Sequence, residues 1–177
     1  MELVKKLLLK KFMRFKMLLI FAFLLSSCHK EDLDDYALTA DEFTQGVIQE
    51  QNFQMALIAR LKQNPSSAIL LTVGKTREIF IQDYQQELVA MNFSDEQPHM
   101  PPLSEDQLNL LTSIDFSAGL EYESAIIKML VDSDQNMIAL HIRASSNSGL
   151  ADPQLRGWTE MKLPQLRNNL KETQNLK

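Results

Sequence analysis

The amino-acid sequence predicts an all-α fold, and two observations carry this prediction. Apolar residues recur at intervals of three and four through most of the chain beyond residue 38, which is the spacing of one helix face. Helix-starting patterns precede these segments, and stretches rich in proline or serine separate them. The runs of Ile and Val are short and lie within the helical spacing, so nothing in the sequence predicts a strand.

The first two predicted helices follow one another between residues 39 and 91. The first begins at the capping box Thr39-Ala40-Asp41-Glu42 and ends before Pro65, because proline disfavours helical geometry in the residue that precedes it. Its apolar face carries Phe43, Val47, Met55, Ile58 and Leu61. Ser66 is a candidate N-cap for the second helix, in which Gly74 costs about 1 kcal/mol relative to alanine. The apolar face of the second helix carries Ile69, Val73, Phe80, Tyr84, Leu88 and Met91.

A loop with three prolines, residues 92–102, follows and is long enough to act as a crossover in a bundle. A short helix then opens at a second capping box, Ser104-Glu105-Asp106-Gln107. Its predicted buried residues are Leu108, Leu110, Leu111 and Ile114. A long helix starts at Asp115 or Ser117 and continues to Arg143. Its inward face carries Phe116, Leu120, Ile127, Leu130, Met137 and His141.

The last predicted helix begins at Asp152-Pro153, an N-cap residue followed by a proline in the first turn. Pro164 falls within this helix and predicts a kink or a local break. The predicted apolar face carries Leu155, Trp158, Met161, Leu166, Leu170 and Leu176. Four long helices and one short helix bury such faces most simply as a bundle, so we expect residues 39–177 to form one helical-bundle domain.

The N-terminal segment, residues 1–27, has the pattern of a secretory signal peptide. A basic region ending at Lys16 precedes an uncharged stretch, and two small residues lead to Cys28, the only cysteine of the chain. The uncharged stretch, residues 17–28, has 12 residues, against about 20 needed to span a bilayer. We therefore expect residues 1–27 to be removed rather than retained as a membrane span.

Leu25-Ser26-Ser27-Cys28 resembles a lipobox, the motif at which lipoprotein signal peptidase cuts. The Cys28 sulfur would take a diacylglyceryl group, and a fatty acid such as palmitate would acylate the freed amine. A lone thiol in an exported protein is otherwise unexpected. The sequence thus predicts a lipoprotein that meets a membrane through Cys28. Two or more acyl chains would hold it stably, because each buried methylene contributes about 0.8 kcal/mol.

Residues 28–38 are polar and acidic, and we interpret them as a tether. Lys30-Glu31-Asp32, close behind the cysteine, resembles the surface-export signal of Bacteroidetes lipoproteins, and the alternative is a simple solvated tether. We expect attachment to the outer membrane, with display at the cell surface. A periplasm-facing position is the alternative.

The charge of the chain excludes nucleic acid as a partner class. Residues 1–27 hold six Lys or Arg and one acidic residue, so the other 150 residues keep 12 basic and 22 acidic side chains, a net charge near −10. Nucleic-acid binding needs a basic surface. A chain of this length is sufficient for one domain with a substantial core.

Three segments of the C-terminal half carry a family resemblance: Ile114-Asp115-Phe116, Ala151-Asp152-Pro153-Gln154-Leu155-Arg156 and Leu163-Pro164-Gln165-Leu166-Arg167-Asn168-Asn169-Leu170. They resemble the bacterial domain of unknown function 4142 family, which comprises exported ferritin-like proteins without an assigned activity. The resemblance covers about residues 40–176, and in the first half only the helix spacing agrees. It implies a ferritin-like antiparallel four-helix bundle with an extra short helix and a kinked last helix.

The chain departs from that family at its histidines. Members carry His at positions that align with Asp134, with Asn169 and with Phe80 or Ile81, and none of these is His here. The resemblance therefore implies that any ligand or proton-handling role of those imidazoles is lost or replaced.

The remaining histidines do not have the spacing of a metal site. A di-iron site in a ferritin-like bundle needs four carboxylates and two His, with Glu-x-x-His on two helices. The only such pattern is Glu96-Gln97-Pro98-His99, in the proline-rich loop. His29 lies in the tether, and His141 stands alone on a helix face. The sequence predicts no metal site and no cofactor.

Asp134 is the polar residue that stands out, because it follows Leu130 by four and precedes Met137 by three on the inward face of the long helix. A buried carboxylate must find a hydrogen-bond donor or take up a proton. The candidate partners are Asn169 on the last helix and Arg77 on the second. We predict a buried polar pair of Asp134 with Asn169, and favour a structural role over a functional site.

No pattern in the sequence predicts catalysis. The chain lacks a glycine-rich phosphate loop, and the serines of residues 145–149 have no His or acid spaced to activate them. We predict a lipid-anchored module of the cell envelope that is not an enzyme and that binds an unknown envelope protein or a small ligand, or is structural. The alternative is a ferritin-like metal- or small-ligand-binding protein of the envelope.

Overall fold

The structure is a computed structural model that describes residues 38–63, 68–91, 101–115 and 120–176. Its helices are α1 (Ala40–Gln63), α2 (Ala68–Ala90), α3 (Glu105–Asp115), α4 (Leu120–Ser145) and α5 (Pro153–Gln174). Apart from the irregular residues 101–103, caps, turns and one isolated bridge, the described residues are helical, so the predicted all-α fold is confirmed. None of the described helices combines the length and the apolar character that crossing a membrane requires.

Both predicted capping boxes form. At the start of α1, the Thr39 amide donates to Glu42 Oε2 at 2.9 Å and the Glu42 amide donates to Thr39 Oγ1 at 3.1 Å. At the start of α3, the Ser104 amide donates to Gln107 Oε1 at 3.0 Å and the Gln107 amide donates to Ser104 Oγ at 3.1 Å. Each box satisfies two amides that a helix terminus otherwise leaves unpaired.

The start of α5 also has the predicted form, with Pro153 in the first turn. Asp152 has extended backbone geometry, and its carboxylate accepts from the Leu155 amide at 2.8 Å. The helix continues across Pro164 to Gln174, so the local break considered from the sequence does not form. A proline inside a helix removes one hydrogen bond, and the packing of α5 against α4 and α2 holds the rest of the helix together.

The four long helices form a bundle in which α1 packs against α2 and α4, and α5 packs against α4 and α2. Near the end of α4, the ring of His141 meets Phe43 at the start of α1. Seven residues earlier on α4, Asp134 meets Gln54, which lies later on α1. Since the contacts move in opposite directions along the two chains, α1 and α4 are antiparallel.

The helices α2 and α4 lie across the bundle from one another and run in the same direction. Arg77 of α2 contacts Asp134, and Tyr84 contacts His141, seven residues further along both helices. The end of α2 and the start of α4 therefore lie at opposite ends of the bundle. The connection between them includes α3, and the crossover role of the loop 92–102 stays a prediction, because residues 92–100 lie outside the described part of the chain.

Two clusters of buried apolar residues fill the interior of the unit Tyr36–Lys177. The first cluster lies toward the α4–α5 turn and includes Phe43, Tyr84 and Trp158. The second lies toward α3 and includes Phe53, Leu111 and Ile114, with Tyr122, Ile126 and Leu130 of α4. On α4, Asp134 falls between Leu130 of the second cluster and Met137 of the first.

Several predicted inward residues face solvent instead. Four are at least two-fifths exposed, namely Ile69 at 66%, Leu108 at 51%, Leu110 at 43% and Met161 at 70%. In α2 the inward face runs through Leu70, Gly74 and Arg77 to Ile81, rather than through Ile69 and Val73. The prediction was wrong there because it assigned inward positions to apolar residues only, whereas the true face of α2 includes a glycine and an arginine.

Leu38 ties the start of the described chain to the α4–α5 turn. Its amide donates to the Gly149 carbonyl at 3.2 Å, and it forms an isolated parallel bridge with Leu150. Leu38 is 7% exposed and belongs to the first cluster, although the sequence placed it at the end of the tether. The Leu150 amide in turn donates to the Ala144 carbonyl at 3.0 Å, which satisfies a carbonyl of the last turn of α4.

Candidate functional site

The centre of the bundle holds a charged pair enclosed by the protein. Asp134 of α4 is 1% exposed and Arg77 of α2 is 4% exposed. The guanidinium bonds the carboxylate through both of its terminal nitrogens, with 3.0 Å between Arg77 Nη2 and Asp134 Oδ2. This two-point contact is the geometry in which an arginine and a carboxylate bind most strongly.

Side chains from the other two long helices complete this arrangement. Thr173 of α5 accepts from Arg77 Nη2 at 2.8 Å, and its hydroxyl lies 3.2 Å from Asp134 Oδ2 and 2.9 Å from the Asn169 carbonyl. Gln54 of α1 donates through Nε2 to Asp134 Oδ1 at 3.2 Å. We call Gln54, Arg77, Asp134 and Thr173 the central polar layer, to which each long helix contributes one residue.

The surroundings of Asp134 act on its protonation in opposite directions. Burial raises the pKa of the Asp134 carboxyl above its ordinary value, and the Arg77 guanidinium, the Thr173 hydroxyl and the Gln54 amide oppose that shift. Donors from three helices thus face the two carboxylate oxygens, which is the environment that an ionised carboxylate requires.

A chain of hydrogen bonds links the central polar layer to the protein surface. Gln54 Nε2 also donates to Ser133 Oγ at 3.1 Å, and the Ser133 hydroxyl donates to Glu50 Oε2 at 2.6 Å. Asn136 donates to the other oxygen of Glu50 at 3.3 Å. Burial raises the pKa of the Glu50 carboxyl, and these two hydrogen bonds oppose the shift. Ser133 is 1% exposed, so its hydroxyl is enclosed despite the carboxylate beside it.

A second buried polar contact lies toward the α4–α5 turn. Tyr84 and His141 are 1% and 0% exposed, and the Tyr84 hydroxyl lies 2.7 Å from His141 Nε2. His141 Nδ1 lies 2.7 Å from the Met137 carbonyl, which can only accept. Nδ1 therefore carries the proton, and Nε2 accepts from the Tyr84 hydroxyl. We call these two side chains the Tyr–His pair.

The environment of the Tyr–His pair keeps both groups uncharged. Burial lowers the pKa of the His141 imidazole to about 4, although the hydrogen bond to Met137 opposes the shift. Burial, and then the nearby Glu87 carboxylate, raises the pKa of the Tyr84 phenol. The rings of Phe43 and Tyr84 meet the His141 ring edge-on, so the imidazole is packed as a core side chain.

The surface end of this region carries a cation and an anion. Trp158, whose ring centroid lies 4.8 Å from that of Tyr84, donates through Nε1 to Glu87 Oε2 at 2.8 Å. Lys162 Nζ donates to Glu87 Oε1 at 2.6 Å and lies 5.5 Å from the Trp158 ring centroid. Lys162 and Glu87 thus compensate each other's charge at the rim of the bundle.

Both residues of the predicted polar pair lie at the centre of the bundle, but they bond Arg77 through different groups. Asp134 bonds Arg77, the alternative partner considered from the sequence. Asn169 is 7% exposed and contributes its main-chain carbonyl, 3.1 Å from Arg77 Nη2. Cys28, His29 and the segment Glu96–His99 lie outside the described residues.

Sequence reasoning missed the roles of Gln54, Thr173 and Tyr84. A signal for the first two was present, because Gln54 and Thr173 occupy helical spacing with buried neighbours, as Asp134 does. The Tyr–His pair carried no such signal, since each side chain alone is ordinary for an amphipathic helix. Only the parallel register of α2 and α4 brings Tyr84 and His141 together.

Within the described part of the chain, no three His, Cys, Asp or Glu residues lie close enough together to hold a metal ion. No family model, no curated protein and no solved structure matches the chain.

Proposed function

We propose that the chain is a lipid-anchored protein of the cell envelope whose helical bundle acts as a binding or structural module without catalytic activity. The observation that carries the role of the bundle in this proposal is the closure of the central polar layer. Arg77 and Asp134 form hydrogen bonds with each other and with residues of neighbouring helices, and both are almost fully enclosed. Catalysis needs groups placed where a substrate reaches them, whereas an enclosed pair of this kind fixes how helices pack.

The bundle is of the ferritin-like antiparallel four-helix type in this proposal. Neighbouring long helices run antiparallel, and a single long crossover between α2 and α4 carries the short helix α3, which is the connectivity of ferritin-like folds. A relationship to the domain of unknown function 4142 family is part of the same proposal. Of the positions that align with that family's histidines, Asp134 belongs to the central polar layer, Asn169 lies one turn from Thr173, and the third position, Phe80 or Ile81, is apolar. Polar side chains would then replace the imidazoles at Asp134 and Asn169.

The location follows from the sequence. The signal-peptide pattern of residues 1–27 and the lipobox-like Leu25–Cys28 support lipid attachment at Cys28, and Lys30-Glu31-Asp32 supports export to the outer surface of the outer membrane. The partner in this proposal is an envelope protein or a small ligand, and the acidic surface disfavours nucleic acid.

Metabolic labelling with a palmitate analogue tests the anchor. We expect the wild-type chain to take up the label and to fractionate with outer membranes, and Cys28→Ala to stay unlabelled. Ser27→Ala is the matched control, because it keeps a small residue before the cysteine and should keep the label. A wild-type chain that is unlabelled and retains residues 1–27 contradicts the proposal. Protease added to intact cells then separates surface display, in which the bundle is cut, from a periplasm-facing position.

A second candidate function is the binding of a metal ion or a small ligand inside the bundle. The small ligand is favoured by the buried side-chain amides of Gln51 and Asn169, which have atoms without a hydrogen-bond partner in the protein. Elemental analysis of the purified protein separates the metal from the small ligand. Iron, zinc or copper at one or more equivalents per chain would favour a metal-binding protein over a structural module.

A further inference from the structure

Two amide side chains inside the bundle have polar atoms that no other group of the protein pairs. Gln51 is 0% exposed, and neither its Nε2 nor its Oε1 has a partner; Asn169 is 7% exposed, and its Nδ2 has none. Thr44 Oγ1, near the start of α1, is the other buried atom in this state among the described residues. Turning the Gln51 amide over, so that its nitrogen and oxygen change places, would not create a hydrogen bond, because neither position has a partner. Buried amides in folded proteins are nearly always paired, with protein, water or ligand.

The helix register places these two amides at the same level of the bundle. Gln51 precedes Gln54 by one turn on α1, and Asn169 precedes Thr173 by one turn on α5. Both helices run antiparallel to α4, so both positions are displaced from the central polar layer toward the Tyr–His pair.

On α2 and α4, the positions one turn further along lie at this level too. They are Ile81 and Met137, each 1% exposed. We call Gln51, Ile81, Met137 and Asn169 the middle layer. Its two apolar members offer the amides no hydrogen-bond partner, so the middle layer contains polar atoms that the protein itself leaves unsatisfied.

The charges around the middle layer favour an uncharged occupant. On one side, Arg77 and Asp134 compensate each other. On the other side, the Tyr–His pair is neutral, because burial lowers the pKa of His141 to about 4. A cation would face the Arg77 guanidinium and an anion the Asp134 carboxylate, and neither ion would find a countercharge within the layer.

We propose that the middle layer binds a small uncharged molecule that accepts hydrogen bonds from the amide nitrogens of Gln51 and Asn169 and donates one to Gln51 Oε1. Water and a polar solute of a few heavy atoms share this chemistry. Buried waters typically make about three hydrogen bonds to groups that otherwise lack partners. The proposal deepens the small-ligand candidate above, and it does not depend on the lipid at Cys28.

Two measurements on the purified full chain detect the occupant. In NMR, the side-chain NH₂ protons of Gln51 should show a nuclear Overhauser effect to a long-lived water. In native mass spectrometry, a bound solute should appear as added mass that disappears on denaturation. Either signal supports the site, and the two signals distinguish water from a solute. The absence of both overturns the proposal, and palmitate labelling at Cys28 would be unaffected by that failure.

The direction in which Gln51→Met changes the melting temperature is an independent test of the proposal. If an occupant pairs the amide, Gln51→Met removes those hydrogen bonds and the melting temperature falls by about 3 °C. If the amide is unpaired, the apolar side chain relieves its burial and the melting temperature rises, which contradicts the proposal. Gln54→Met is the matched control, since the Gln54 amide has partners and its loss destabilises in either case. Should Gln51→Met fail to fold, the wild-type NMR and mass measurements decide alone.

Discussion

Arg77 and Asp134 stabilise the bundle only as a pair. Taking either charge out of water is unfavourable by several kcal/mol, and the attraction between the two offsets this roughly when the geometry is good. Here the contact is two-pointed, and Thr173 and Gln54 satisfy further donor and acceptor positions. Loss of one partner leaves a charge in the core that nothing compensates.

We expect both Asp134→Ala and Asp134→Leu to lower the free energy of unfolding by about 3–5 kcal/mol, because each leaves the Arg77 guanidinium buried and unpaired. The double variant Asp134→Leu with Arg77→Met should recover a large part of the loss. Urea titrations of these variants and of Arg77→Met alone measure these differences. Glu78→Gln, at the more exposed ion pair with Lys62, is the control and should change stability by about 1 kcal/mol or less.

The outcome that would contradict this view of the pair is additivity. If the double variant loses as much stability as the sum of Asp134→Leu and Arg77→Met, the two charges are not coupled. The central polar layer would then be four separate contacts.

His141 makes the stability of the protein depend on pH. The folded protein keeps the imidazole neutral down to about pH 4, whereas the unfolded chain takes up a proton near pH 6.5. The titration of His141 therefore leaves the free energy of unfolding unchanged above pH 6.5 and lowers it as the pH falls from 6.5 to 4. The total decrease is about 3 kcal/mol at most. Chemical denaturation at a series of pH values measures the slope.

His141→Gln isolates this contribution, because glutamine can still accept from Tyr84 and does not titrate. Asp134 and Glu50 have pKa values raised by burial, so they act in the opposite sense over part of the same range. They remain in both proteins and cancel in the difference. Equal slopes for wild type and His141→Gln between pH 4 and 6.5 would show that the imidazole reaches solvent.

At the scale of the element, the turn between α4 and α5 depends on residue 149 being a glycine, which has no Cβ atom. A Cβ atom there would lie 2.3 Å from the Ala144 carbonyl oxygen and 2.4 Å from that of Arg143, in the backbone of α4 itself. Backbone cannot move aside as the end of a flexible side chain does. The turn that carries the contact with Leu38 therefore requires glycine at this position.

We expect Gly149→Ala to lower the free energy of unfolding by more than about 1 kcal/mol. Gly157→Ala on α5 is the matched control, because a Cβ there meets nothing within 4 Å and alanine favours the helix by about 1 kcal/mol. Thermal melts of the two variants should therefore shift in opposite directions. A Gly149→Ala variant as stable as the wild type would mean that the turn has an alternative conformation without strain.

Helix starts were predictable because their chemistry is local. Thr39, Ser104 and Asp152 each bond an amide within three residues, so the pattern alone contains the partner. Which face points inward was less predictable. Leu108 and Leu110 share α3 with Leu111 and Ile114, yet only the last two pack against neighbouring helices. A bend at Pro164 stays a prediction.

At the scale of the whole molecule, the candidate site was half predictable. Asp134 could be placed inward from its own helix, since Leu130 and Met137 bracket it. Arg77 was among the partners considered for Asp134, but the choice between Arg77 and Asn169 and the contacts with Gln54 and Thr173 could not be predicted, because the register of three other helices decides which side chains reach the carboxylate. For the same reason Tyr84 and His141, which are 57 positions apart, remained unconnected in the sequence.

A layer that takes one residue from each long helix also ties the four helices to a single arrangement. Sliding any of them by one turn would move Gln54, Arg77, Asp134 or Thr173 out of reach of the others and leave the buried charges unpaired. The apolar clusters on either side would tolerate such a slide better, because apolar contacts have no direction. We therefore expect the specificity of packing to come from the polar centre and most of the stability from the two clusters.

The hydrogen bond from Leu38 to Gly149 determines how tension enters the domain. A pull on the chain from the N-terminal side reaches this bond before it reaches the first turn of α1. The force is passed to the turn that joins α4 to α5, and hence to the pair of helices with the most extensive packing in the molecule. If the proposed lipid at Cys28 holds the chain, we expect this contact to take up load before helix α1 is unwound from its N-terminal end.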